Sequence, residues 1–186
     1  LILLALAGLG ASWGIRLLLG EIFPRLLTIS VPNLNLTIVM GLVSIVLGVV
    51  AIPLGIAATR WGNHRLMLAS IVTMIADLGI TLMNQQPIVV GLEVIILVVA
   101  TSTVLNGVIP LALSVMPPER GGLGIGCYFG GFTAGMALFN TLIVKSGDLA
   151  FDIVARLAIV AFAVAGLGIL FAGDNRSQHP TAQPSA

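Results

Sequence analysis

Three ionisable residues stand where lipid is expected. Arg16, Asp77 and Glu93 each lie inside a long apolar run. Placing a charge in a bilayer costs at least a few kcal/mol, so a charge there is a functional candidate by default. Such a group binds a charged substrate group, carries a coupling ion, or pairs with its opposite. Trp13 precedes Arg16 by about one turn on the same face, where an indole can stack on a substrate or cap a cavity. Ser102, Thr103 and Asn106 form a polar patch at helical spacing. At 100° per residue Asn106 falls about 220° from Glu93, whereas Thr103 shares Glu93's side. Other chemistries lack their residues. His64 and His179 are isolated in polar segments, and Cys127 is alone in an apolar run. No metal-ligand spacing, nucleophile motif or phosphate-binding loop is visible, so no cofactor, no metal and no enzymatic activity are expected.

The elements that position these residues follow from composition. Hydrophobic residues make up 58% of the 186 and charged residues 8%, with a mean hydropathy of +1.15. A soluble domain carries roughly 25% charged residues, so lipid is the expected solvent. In lipid the backbone must satisfy its own hydrogen bonds, which leaves helices or closed barrels. The apolar runs exceed barrel-strand length and show no alternation, so an all-α membrane protein with six transmembrane helices is expected. A net charge of +1 gives no sign of a nucleic-acid partner.

The helices are expected at about 1–23, 36–58, 66–83, 88–116, 122–144 and 151–172, with Ile29 as the alternative end of the first. Together 1–172 would form one bundle, followed by a disordered polar tail over 173–186. Pro110 should kink the fourth helix. Arg60, Arg65, Arg120 and Arg176 fall on one set of loops, Arg25 and Lys145 on the other, with Arg156 just inside helix six on that second side. The positive-inside rule then puts the loops after helices two and four, and the tail, in the cytoplasm. Arg16 and Asp77 would each lie roughly 10 Å, and Glu93 roughly 8 Å, from the outer ends of their helices. An Arg16–Glu93 ion pair is therefore geometrically open. Glu21 and Arg25, four apart near a helix end, suit an interfacial pair. Gly41, Gly48 and Gly55, and separately Gly122, Gly126 and Gly130, form small-residue rows that would let helices approach closely; Gly131 and Gly135 add a second pair.

The segment from Gly55 to Arg65 resembles the signature loop of the major facilitator superfamily. That signature is a Gly, a small or apolar stretch, Asp-Arg, a variable residue, Gly, and one or two basic residues. Gly55, Arg60, Gly62 and Arg65 match; Thr59 stands at the family's Asp, and Asn63 and His64 replace one basic position. A copy without the Asp is similar to the family's second copy, between its eighth and ninth helices. The run Met116-Pro117-Pro118-Glu119-Arg120-Gly121-Gly122 resembles the loop before its eleventh helix.

The resemblance implies the C-terminal six-helix half of a twelve-helix secondary transporter of a small solute, in the plasma (inner) membrane. Its partners would be the bilayer and an N-terminal half of the same protein. It also implies that helices one and four line a central cavity, which favours Arg16 and Glu93 over Asp77 as site residues, and that the loop latches one conformational state. The chain opens at Leu1 in an already apolar run, which reads as a truncation inside or just before a helix. The rival readings are a six-helix membrane scaffold or assembly protein and a membrane-embedded enzyme.

Overall fold

The computed structural model describes residues 1–30, 35–143 and 149–177. All of its elements are helical. The first span comprises α1 (Ile2–Leu17), a π-helical turn (Leu18–Ile22) and α2 (Phe23–Ser30). The others are α3 (Leu36–Trp61), α4 (Asn63–Met83), α5 (Pro87–Val115), α6 (Gly121–Leu142) and α7 (Phe151–Ser177), with a 3-10 turn, Pro118–Arg120, before α6. Six helices are long and apolar enough to cross a membrane, the pattern of a multi-pass membrane protein.

The first span does not stop at Pro24. Proline lacks an N–H, and its ring crowds the carbonyl four residues back. The helix widens instead: the Phe23 N–H bonds the Leu18 carbonyl, five residues back. The α3–α4 connection is shorter than expected. Helix runs to Trp61 and resumes at Asn63, so Gly62 alone makes the turn, with φ 87° and ψ 128°. That backbone favours glycine because a Cβ would be strained there. The last helix continues past Ala172 to Ser177; residues 178–186 of the expected tail lie outside the described residues.

The contacts between spans have an internal symmetry. The first span packs on α6 and α7, and its α2 portion on α5; α5 packs on α3 and α4; α4 packs on α7. Exchanging spans one, two and three with four, five and six maps these contacts onto one another, although α1 packs more extensively than its counterpart α5, and the α5–α6 contact has only a weak counterpart between α2 and α3. Successive spans alternate in direction, so the two triplets are inverted. The first and fourth spans are both 29 residues long, and each carries a proline near its far end, Pro24 and Pro110.

Close packing falls on the Gly131–Gly135 pair and on glycines outside the two rows, not on the rows themselves. A Cβ on Gly131 would strike the Ala5 backbone, and one on Gly135 would strike Ser12 and the Leu9 backbone. Gly8, Gly10 and Gly168 likewise abut the backbones of Tyr128, Ala161 and Ala7. These glycines seat α1 against α6 and α7, where helices attract only by close contact. Gly41, Gly48, Gly55, Gly122, Gly126 and Gly130 have nothing within 4 Å of a Cβ. A row of small residues marks a face of low relief, but it does not say which face another helix covers. On α3 only Val43 is buried.

This packing generates a test. Gly131→Leu should lose about 1–3 kcal/mol or fail to fold, by overpacking. Gly126→Leu should stay within about 0.5 kcal/mol of the parent chain. Thermal denaturation in detergent separates the two.

Candidate functional site

Asp77 and Glu93 come together across the seam between α4 and α5, in the half of the bundle away from the arginine-rich turn. They are 4% and 3% exposed, and Thr81 is fully buried. Antiparallel hairpin geometry brings them there. Thr81 lies one turn beyond Asp77 on the same face of α4, and its hydroxyl oxygen is 3.0 Å from the Asp77 carbonyl oxygen and 2.9 Å from Glu93 Oε2. Asp77 Oδ2 and Glu93 Oε1 have no hydrogen-bond partner among the described residues. The same holds for Thr101 Oγ1, two turns further along α5. Unpartnered buried oxygens are costly in a native structure and call for an explanation.

Arg16 is not part of this group. Its guanidinium carbon sits 5.9 Å from the centre of the Phe139 ring, and its tip lies along Gly20 on its own span. It has no ion pair among the described residues, so the Arg16–Glu93 bridge that equal depth left open does not form. The cause is rotational: Arg16 faces α6, whereas Glu93 faces α4. Trp13 is held rather than free. Its indole N–H donates to the Gly135 carbonyl at 2.7 Å, and its ring meets Phe139 edge-on at 5.6 Å. Trp13, Arg16 and Phe139 thus make a cation–aromatic cluster between α1 and α6. The interfacial pair does form: Arg25 Nη2 donates to Glu21 Oε2 at 3.1 Å, and its other nitrogen to the Leu149 carbonyl.

The polar patch on α5 serves a second location. The Ser102 hydroxyl donates to the Leu47 carbonyl of α3 at 2.7 Å, and the Asn106 amide donates back to the Ser102 carbonyl. Asn106, Thr103, Thr59 and Asn63 line a cavity of about 190 Å³ between α3, α4 and α5, which Gly55 and Pro110 also border. The turn lies beside it. Gly55, Arg60, Gly62 and Arg65 are all exposed, and neither arginine has an ion pair among the described residues.

Two neighbours that the sequence reading treated as departures from the signature make the turn's specific contacts. Asn63 donates to the Gly107 carbonyl of α5 at 2.6 Å, where Gly107 leaves just enough room. His64 Nε2 lies 3.0 Å from the Ile169 carbonyl of α7, with its ring against Gly173. Thr81, Asn63 and His64 were missed as site residues. For Thr81 a signal existed, its four-residue spacing from Asp77. For the other two the partners are 44 and 105 residues away, and nothing local announces them.

Set against protein-family models, curated proteins and solved structures, the chain matches none. What stands is the class: an all-helical chain with six potential membrane spans, two buried carboxyl groups at one seam and a one-residue turn that ties three helices.

The carboxyl seam generates a test. Thr81→Val removes the hydroxyl and leaves the Glu93 carboxyl without its partner, which should cost about 1–3 kcal/mol. Glu93→Gln keeps a hydrogen-bonding group of the same shape and should cost less. Denaturation midpoints in detergent rank them; equal midpoints would show that the Thr81–Glu93 contact contributes nothing.

Proposed function

We propose that the chain is a six-helix half of a secondary transporter of the major facilitator type, moving a small solute by alternating access. The observation that supports this reading is the inverted three-plus-three contact pattern. Transporters of this kind nest such repeats within each six-helix half and rock two halves about a site near the membrane midplane. A bundle of two triplets with corresponding, if unequal, contacts has two related ways to tilt, which is what access from alternate sides requires. The open faces of α3 and α6, with their unfilled glycine rows, fit a second six-helix body, the N-terminal half of the same protein. On this reading Arg16, Trp13 and Asn106 are candidates for contact with the solute, and Glu93 and Asp77 for coupling. The arginine-rich turn lies in the cytoplasm, where Asn63 and His64 hold α5 and α7 in one conformational state.

Orientation is tested by cysteine labelling in a Cys127→Ser background. Arg65→Cys should react only from the cytoplasm, and Gln85→Cys only from outside; both positions are exposed. The reverse pattern would overturn the orientation and the family assignment. Transport is tested with the full-length protein in proteoliposomes, using solutes that raise its thermal stability. Arg16→Ala should abolish uptake while the protein reaches the membrane at normal levels. If no stabilising solute is moved, the chain is a scaffold rather than a carrier.

A further inference from the structure

We propose that the seam between α4 and α5 is a proton-binding site, with one proton held on the Glu93 carboxyl and donated to the Thr81 hydroxyl. The inference deepens the transport reading, on which it rests only for what the proton would drive.

The number of hydrogens around Thr81 decides which group donates. Thr81 Oγ1 lies within hydrogen-bond distance of two acceptors, the Asp77 carbonyl at 3.0 Å and Glu93 Oε2 at 2.9 Å. A hydroxyl carries one hydrogen and two lone pairs. Thr28, Thr73 and Thr103 show where that hydrogen goes in these helices: each donates to the carbonyl four residues back, at 2.8, 2.9 and 3.0 Å. If Thr81 does the same, its lone pairs face Glu93 Oε2. Two oxygens 2.9 Å apart then need a hydrogen between them, and Glu93 must supply it.

Among the described residues, nothing else compensates a charge on Glu93. Val90, Val94 and Leu97 flank it on α5, and Leu78 lies beside Asp77 on α4, all buried. Among the described residues, Asp77 is the ionisable group of α4 that feels the Glu93 charge. On the first span Arg25 is bonded to Glu21 and to the Leu149 carbonyl, and Arg16 faces Phe139. Arg60 on α3 and His64 and Arg65 on α4 lie at the opposite end of the bundle. Asp152 and Arg156 of α7 pair with each other at 3.9 Å and are exposed; Tyr128 of α6 packs against Phe129. With no cation facing them among the described residues, two neighbouring carboxylates in a low-dielectric seam repel. One proton removes one of the charges and completes the Thr81 network.

The exchange is simple. A proton passes from water to a Glu93 oxygen and returns, and no other bond is made or broken. Glu93 and Asp77 each lie six residues from the end of their helix, roughly 9 Å from its mouth. The unpartnered Asp77 Oδ2 and Glu93 Oε1 are further acceptors at the seam. Loss of the proton removes the Glu93–Thr81 bond and sets like charges across the seam, so the occupied and empty states favour different α4–α5 contacts.

Infrared spectroscopy of the chain in lipid nanodiscs tests this, through the carbonyl stretch of a protonated carboxylic acid. The parent chain should show one such band at mildly acidic pH, lost on titration to alkaline pH. Glu93→Gln should abolish it, and Asp77→Asn should retain it. Thr81→Val should shift it to higher frequency without removing it, which keeps the test open if Glu93→Gln does not fold. A band that survives Glu93→Gln and vanishes in Asp77→Asn overturns the assignment. So does the absence of a band together with thermal stabilisation by sodium over choline at equal ionic strength, which would make the site one for a metal cation. Solute flux is measured separately: a band with no flux leaves the proton site standing and sinks the transport reading, and flux with no band does the reverse.

Discussion

A bilayer core supplies no hydrogen-bond partners, and the rest of this structure follows from that constraint. The backbone closes its bonds within helices. Most hydroxyls do the same locally: Ser44, Thr73, Thr133 and Thr141 each donate to a carbonyl three or four residues back. The polar contacts that cross between helices are therefore few and carry position. Trp13 ties α1 to α6, Ser102 ties α5 to α3, Thr81 and Glu93 tie α4 to α5, Asn63 ties α4 to α5 at the other end, and His64 ties α4 to α7. In water such bonds would compete with solvent. Here the alternative is an unsatisfied group, so each fixes a helix in register.

Between those ties the bundle is held by shape. Where α1 meets α6 and α7, glycines let backbones touch, and dispersion acts over a long, close contact. Where α3 runs along α5 the contact is a single stripe, with most of α3 turned outward. The first and fourth spans are the most buried of the six and occupy equivalent places in the two triplets. Each has a proline near one end, with a π-helical turn beside Pro24. The widened turn lets the first span continue past Pro24 instead of ending there.

Three signals in the sequence were enough for the architecture. Run length set the number of spans, loop residues set their ends to within a few positions, and composition set the solvent. The short turn at Gly62 was legible as a turn, though not its length of one residue, because helical φ and ψ on both sides continue through residues that look like loop. The membrane-buried charges were legible individually. Their pairing was not: equal depth allowed Arg16 to meet Glu93, and only the rotation of each helix about its axis decided that Arg16 faces Phe139 and Glu93 faces Thr81.

The sequence by itself determined that the chain is helical and apolar, with six potential spans, three ionisable groups inside them and an arginine-bearing turn after the second. Those properties depend on local composition and on spacing along one helix. Tertiary structure decided which glycines are packed and which are open, that Asp77 and Glu93 share a seam, that Trp13 is bonded rather than free, and that Asn63 and His64 are the working residues of the turn. Each of these depends on which helix stands opposite, and in a membrane every helix is apolar on all sides. The hydrophobic face that reveals a partner's direction in a soluble protein is absent here. Only the fit of surfaces, summed over the whole bundle, selects the neighbours.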